Sequence, residues 1–174
     1  MKSKILALIC CVFVFAFDVS AQAEGAREKE EATTMKEEAT MTDIFGTFSC
    51  EDIKTRLENF HVILTEEPKL RGVIILYEGK QAKYIYNREG KSAIRYIPPS
   101  FGESAFLTQE MQEILIFKKL PIENFLFIDG GFRENFEVEF WIVPNGAKMP
   151  KPTPTLETIK YRKGVPLKIE CGGS

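Results

Sequence analysis

The segment Val73-Ile74-Ile75-Leu76-Tyr77 constrains the fold of this chain more than any other. It is an unbroken run of β-branched and large apolar side chains, entered through Arg71-Gly72 and followed by Glu78-Gly79-Lys80. Successive side chains of a strand point to opposite faces, so a strand with one wet face alternates apolar with polar residues. A strand without alternation must be covered on both faces, and that requires a layered sheet. Glu78-Gly79-Lys80 reads as the turn that ends this strand.

The neighbouring patterns supply elements to build such layers. Ser49 and Asp52 form an S-x-x-D capping signature ahead of Ile53, Leu57, Phe60 and Leu64. That 3–4 spacing predicts a helix with one buried face, stopped by Pro68. A second helix is predicted from Glu103 to Leu120, with Phe106, Met111, Ile114, Leu115 and Leu120 at roughly helical spacing and Pro121 as its end. Strands are predicted at Asp43–Phe48, at Phe125–Ile128 and at Phe136–Val143. The last alternates apolar with acidic residues, so one of its faces should be wetter, and one of Phe140 and Trp141 must face away from the core. Lys83–Asn87 and Ala93–Ile97 flank Arg88-Glu89-Gly90-Lys91 and read either as a hairpin or as an ordered insertion without regular pairing. Met149–Thr155 is a proline-spaced connector of polyproline II character, and two strand-like pieces follow, near Ile159 and at Leu167–Ile169. The order predicts an α/β (α+β) fold: a mixed sheet of about four strands with two main helices, a tyrosine-rich insertion and an extended C-terminal tail.

The chain opens with Lys2 and Lys4, an apolar run from Ile5 to Phe17, and Val-Ser-Ala-Gln-Ala ending at Ala23. A basic head, a short apolar stretch and a small-x-small site describe a secretory signal peptide, cleaved after Ala23 or, as a second choice, after Ala21. The run is shorter than the ~20 residues a membrane span needs, so no span is expected in the mature chain. Lipidation of Cys10 or Cys11 is disfavoured, because Ile9 is bulky and Cys10 falls before the apolar segment ends. Residues 24–42 carry six Glu against Arg27, Lys29 and Lys36 and hold no large aliphatic or aromatic side chain, so a solvated acidic tether is expected there. Residues 43–146 form the expected domain and 147–174 the proline-rich connector and tail.

Two of the 23 basic and one of the 25 acidic residues lie in the leader, which gives a mature charge of −3. No basic face is evident from composition, and nucleic acid is not an expected partner. Removing the leader also leaves two of four cysteines, Cys50 and Cys171. An even count in an exported chain favours a disulfide, here closing a loop of about 120 residues worth about 4–5 kcal/mol in the loop-entropy account. Two cysteines and the single histidine, His61, make a poor ligand set, so neither metal nor cofactor is expected.

The element order resembles the C-terminal, OmpA-like domain of bacterial envelope proteins. The segments that carry the likeness are DIFGTF, Ser49–Leu64, RGVIILYEG, the helix around Gln109–Lys118, FLFIDGG and VEFWIV, together roughly Asp43 to Val143. The resemblance implies a periplasmic or extracellular address. Domains of that family grip the diamino acid of peptidoglycan with an Asp just after the central strand and an Arg early in the second helix. Here the corresponding stretch is Tyr77-Glu78-Gly79-Lys80, and Thr108–Lys119 contains no Arg, so neither anchor carries over. A second likeness is to bacterial secreted proteins with a DGG(F/Y)RE…EFW(I/L)VP(N/P)G-like ending, which implies no defined activity.

Three groups of residues are candidates for chemistry. Asp129-Gly130-Gly131-Phe132-Arg133-Glu134-Asn135 follows a strand end, where α/β sheets often bind ligands. The plain reading is a Gly-rich turn with Arg133 paired to a carboxylate; the catalytic one makes Asp129 and Glu134 an acid–base pair. Tyr77, Tyr84, Tyr86 and Tyr96, with Lys80, Lys83, Arg88 and Arg95, form either sheet packing or an exposed aromatic-basic patch that stacks on glycans or anionic chains. His61 reads as a helix-flank histidine beside the core rather than a catalytic base. The expectation is an exported, non-enzymatic binding or assembly module whose partner is a cell-envelope component or protein, with its surface at Glu78, Lys80, Asp129, Arg133 and Glu134. The rivals are a small secreted hydrolase using Asp129 and Glu134, and an interaction protein acting through its acidic arm and proline-rich tail.

Overall fold

The computed structural model describes residues 38–46, 49–86 and 92–166. The leader with its Ala23 site, residues 24–37 of the expected tether, the turn at residues 87–91, the Leu167–Ile169 piece and Cys171 lie outside the described residues. Strand β1 (Thr40–Phe45) is followed by helix α1 (Cys50–Glu66), a long strand β2 (Leu70–Tyr86), strand β3 (Ser92–Ile97) and helix α2 (Glu103–Phe117). A 3₁₀ turn (Ile122–Asn124) then leads into β4 (Phe125–Asn135) and β5 (Glu137–Pro144). The fold is α+β with a mixed sheet, as the order of patterns predicts. β1 begins at Thr40, inside the stretch expected to be tether, because it adds to the sheet edge against Phe140 to Ile142 of β5.

The Val73–Tyr77 run lies at the centre of the sheet. Residues Leu70–Tyr77 pair antiparallel with β5 on one side, while Gly72–Leu76 pair parallel with β4 on the other, and β1 extends the sheet beyond β5. The two faces are covered by different materials. Ile74 and Leu76, with Phe125, Val138 and Phe140, meet Ile53, Leu57, Phe60 and Leu64 of α1 and Leu107, Met111 and Leu115 of α2. Phe60 stacks on Phe140 at 4.8 Å, and Phe45 meets Phe140 edge-on at 5.3 Å. Each such side chain contributes roughly 1.5–3 kcal/mol when fully buried. Ser49 caps α1 as its spacing predicts, its hydroxyl accepting from the Asp52 N–H.

Among the described residues no helix covers the other face. Val73, Ile75, Tyr77 and Val143 pack there with Ile128 and Trp141, and Ala147 and Met149 cover them as the chain leaves β5. The proline-rich segment is therefore a structural layer rather than a free connector. Thr155 and Leu156 both donate their N–H groups to Phe132 O, and Leu156 bridges to Phe132. Phe140 faces the helices and Trp141 the connector, which resolves the choice between them. The face of β5 expected to be wet is covered, with Glu139 buried on it.

Two predicted turns are strand. β2 runs straight through Glu78-Gly79-Lys80, and β4 runs through Asp129-Gly130-Gly131 to Asn135. Pairing between them continues past irregularities at Leu76/Glu78 and Glu78/Lys80. Gly79 serves close approach: a Cβ there would lie 2.2 Å from the Asn135 carbonyl carbon. Gly131 takes a positive φ of 79° at the bulge, and Gly130 leaves room for the Tyr77 ring. The second predicted helix ends earlier than Pro121 requires: Lys119 turns left-handed and Leu120 N–H returns to Leu115 O. Near Ile159 the expected strand is replaced by irregular chain.

Replacing Gly79 with Ala forces backbone against backbone and should cost about 1–3 kcal/mol. A fall in the urea midpoint checks this, with an unchanged midpoint contradicting the close-approach account.

Candidate functional site: strand ends and the projecting ribbon

The strand periodicity that buries Tyr77 under the connector turns Glu78 to the helical face. There Glu78 is 5% exposed, and its Oε1 accepts the N–H groups of Glu103 at 3.0 Å and Ser104 at 3.3 Å. The N-cap residue of α2, Gly102, has no side chain to do this. A carboxylate at a helix N-terminus satisfies orphan donors and meets the positive end of the helix dipole. Oε2 of Glu78 accepts the Tyr161 hydroxyl at 2.7 Å. Glu103, also buried, accepts from Gln81 Nε2 at 2.9 Å and from the Ser100 N–H. The tail straps this cluster down: Arg162 N–H donates to Pro99 O, Ser100 Oγ donates to Val165 O, and the Arg162 guanidinium lies 3.7 Å from Glu103. Burial, with the hydrogen bond to Glu78 second, pushes the Tyr161 phenol up to about 12.

Arg133 lies on the opposite face. Its guanidinium carbon stands 3.4 Å from the Tyr77 ring centroid. Nη1 donates to Glu137, and Nη2 donates to Glu139 Oε1 at 2.8 Å and to Thr153 Oγ1 at 2.6 Å. The other Glu139 oxygen accepts from Tyr77 OH at 3.2 Å and Trp141 Nε1 at 2.9 Å, and the Thr153 N–H donates to Tyr77 OH. Desolvation works against the Arg133 charge, but hydrogen bonds to Glu137 and Glu139 outweigh it and raise its pKa above the ordinary arginine value.

The five residues expected to share a binding surface are thus divided. Glu78 is committed to α2 and Arg133 to the connector. Lys80 and Glu134 do meet, at 3.5 Å, as an exposed pair. Asp129 is exposed, and its Oδ1 accepts the N–H of Gly131 two residues on. His61 flanks α1 with its ring 6.4 Å from Phe125. Among the described residues no three His, Cys, Asp or Glu side chains gather as a metal site, and no helix is long and apolar enough to cross a membrane.

Two surface features remain. A cleft of about 350 Å³ opens between β1 and α1, lined in part by Thr42, Asp43, Asp52, Arg56 and Asn59. Its arginine is already bound to Asp43 at 2.5 Å and Asp52 at 3.0 Å and lies over the Phe45 ring, so it clasps β1 to α1. The second feature is the hairpin that the tyrosine-bearing segments form. Gln81–Tyr86 of β2 pair antiparallel with β3, in the register Gln81↔Ile97 to Tyr86↔Ser92. β3 is exposed from Ser92 through Tyr96, on both of its faces. Ile94 and Tyr96 are each 55% exposed, and Ile85 is 41% exposed. Tyr77, counted with this patch on sequence, belongs to the interior instead.

Protein-family models, curated proteins and solved structures yield no match to this chain.

The pairing of Arg133 with a carboxylate was expected, and Glu137 and Glu139, the acidic alternation close behind it, are its partners; the extension of the network to Tyr77, Trp141 and Thr153 had no signal in the sequence. Arg133→Met should cost about 3–5 kcal/mol, because it leaves buried carboxylate charge without its partner. Lys80→Met should stay within about 1 kcal/mol, as an exposed pair does. Denaturant unfolding of both variants checks the contrast, and equal effects would contradict it. A second outcome concerns Tyr161. Its folded pKa lies above the unfolded value of 10, so the contribution it makes is fully present below pH 10 and lost as pH rises from 10 toward about 12. Ultraviolet titration of Tyr161→Phe against the parent should show the missing ionisation near the upper end of that window. A missing step near pH 10 would contradict the Glu78–Tyr161 latch.

Proposed function

We propose that the protein is an exported, non-catalytic binding and assembly module of the cell envelope or extracellular space, on an OmpA-like arrangement of strands and helices. The observation that carries this reading is the division of labour among polar residues. The buried carboxylates Glu78, Glu103 and Glu139 and the largely enclosed Arg133 are occupied in holding α2, the tail and the connector. A paired β-ribbon, meanwhile, presents aliphatic, aromatic and basic side chains to solvent. Export rests on the leader and on the two cysteines that remain after it, with cleavage after Ala23 and a periplasmic or extracellular destination. Cys50, buried at the start of α1, is the described half of the proposed Cys50–Cys171 bridge.

The binding surface of this reading moves from the strand ends to the β2–β3 ribbon. Lys80, Asp129 and Glu134 stay available at its foot, and a hydrolase reading would have to work through the last two. The acidic residues upstream of Thr40 remain the arm of the third reading, whereas the proline-rich segment is built into the fold.

Pull-down from envelope extracts and on purified peptidoglycan with the mature protein tests the proposal. Retention of a partner by Asp129→Asn/Glu134→Gln and its loss on Ile94→Ser/Tyr96→Ser is the expected result. Substrate turnover that disappears in the carboxylate variant would contradict it. Thiol titration of the unfolded mature protein should find no free thiol without reductant and two with it; two from the outset would refute the bridge.

A further inference from the structure

We infer that the outer edge of β1, with the cleft beside it, accepts an extended peptide segment of another protein as an added strand, and that this segment places a lysine or arginine in the cleft. Three observations lead there. First, β1 pairs with β5 on one side, and among the described residues the outer backbone edge of Thr40–Ile44 has no partner. Natural sheets close such edges with lysine, proline, a bulge or a covering segment. β1 contains neither lysine nor proline, and its one irregularity lies between Met41 and Asp43. At the opposite edge of the sheet Leu156 bridges to Phe132 of β4. Second, one flank of α1 borders the open edge. Asp52, Arg56, Asn59 and Ile63 recur at helical spacing and line the cleft of about 350 Å³ together with Asp43, and Phe60 and Phe140 form its apolar wall. A strand added to β1 lies at the mouth of this cleft and sends every second side chain toward it. Third, the cleft joins that apolar wall to an excess of acid. Asp43 and Asp52 against Arg56 leave a net charge of −1 among its lining groups. Arg56 engages one oxygen of Asp43, and among the described residues neither the other Asp43 oxygen nor the Asn59 amide has a hydrogen-bond partner.

A lysine or arginine side chain meets both halves of this chemistry. Its stem lies on Phe60 and Ile63 while its charge reaches the carboxylates. The other face of β1 asks for apolar neighbours: Met41 and Ile44, opposite Trp141 and Glu139, are 43% and 49% exposed. Residues alternating with the basic one along the added strand land beside them. The segment that fits is therefore apolar at every second position and basic at one position between, with main-chain hydrogen bonds supplying affinity and the cleft supplying selectivity. A second copy of the chain fits less well. It brings a second acidic rim against the first, and an edge six residues long offers a strip of roughly 20 Å by 10 Å, about 200 Å². A stable protein interface needs about 800 Å² from each side. Residues 24–37, just upstream of β1, are also a poor match: they bring five Glu against Arg27, Lys29 and Lys36 and, Met35 apart, no large apolar side chain.

This surface is separate from the β2–β3 ribbon on which the proposed function rests, so the two can fail separately. The test is an NMR titration of the isotope-labelled mature protein with the acetylated peptide Thr-Val-Lys-Val-Thr-Val, whose lysine and valines occupy alternate positions. Amide shifts are expected at Thr40–Ile44 and at Asn59 and Ile63. Replacing the peptide lysine by glutamate should weaken binding roughly tenfold or more. Of two peptides N-methylated at alternate amides, one should lose binding and the other keep it, because only one edge of the peptide pairs with β1. Asn59→Lys, an exposed substitution at the cleft, should also lose roughly tenfold or more, while Ala105→Lys, exposed on α2, should bind like the parent. Unfolding midpoints show that both variants remain folded. No binding at millimolar peptide, equal binding of the lysine and glutamate peptides, equal effects of the two N-methylated peptides, or binding unaffected by Asn59→Lys would overturn the inference. So would a dimer of the free protein that Asn59→Lys dissociates, since the edge would then belong to a second copy. Shifts confined to β3 would overturn it as well, and would support the ribbon instead.

Discussion

The structure depends on a largely enclosed cation. Arg133, its side chain only 12% exposed, lies flat on Tyr77 and reaches Glu137, Glu139 and Thr153 at once. A guanidinium suits this position because its planar donor fork can stack on a ring and serve several oxygens without moving. Charges taken out of water are costly, and a pair recovers that cost only when the remaining donors and acceptors are also satisfied. Here Tyr77, Trp141 and Thr153 complete the set around Glu139 and Arg133. The consequence is architectural. Thr153 belongs to the proline-rich segment, so the polar network fastens that segment over the face that the α-helices leave open.

A similar solution appears on the other face with the signs reversed. Glu78 is a buried anion that satisfies the first N–H groups of α2 and holds the tail through Tyr161. Neighbouring residues of one strand, Tyr77 and Glu78, thus secure opposite layers of the molecule. Beyond these committed groups, the distal part of β2 and β3 carry exposed side chains where the strand outruns the helices that cover its first half. A two-stranded ribbon is marginal in water by itself. Its foot is tied to the body by Gln81 on Glu103, while beyond that Lys83, Ile85, Ile94 and Tyr96 face solvent.

Much of this was legible in the sequence. Ser49, the 3–4 spacing of Ile53 to Leu64, and the unbroken Val73–Tyr77 run predict a capped helix and a doubly covered strand, because caps and periodicity are local physics. The same run demands a second covering layer without naming it, and the proline-spaced segment reads as a linker although its Ala147 and Met149 cover that face and its Thr153 bonds to Tyr77. Glycine misled twice. Gly79 and the Gly130-Gly131 pair look like turns, since a small residue is the shared requirement of left-handed backbone and of close approach, and only the neighbouring strand tells them apart. The candidate site was the least legible part. Arg133 and Glu134 are adjacent in sequence, but strand periodicity sends one inward and leaves the other exposed. Burial of Glu78 required knowing that α2 would begin above it. The ribbon was half visible: tyrosines and basic residues at strand spacing announced it, while whether those residues were covered was settled only by the end of the helical layer.

The central claim is that buried charge makes the proline-rich segment a layer of the fold. Amide hydrogen exchange of the full chain tests this most directly, at Thr153, whose N–H donates to the Tyr77 hydroxyl, and at Thr155 and Leu156, whose N–H groups donate to Phe132 O. The account requires these amides to be protected to a degree comparable with those of β4 and β5, since opening the segment exposes the Arg133–Glu139 network. Exchange at the rate of an unstructured peptide, with β4 and β5 still protected, would contradict it.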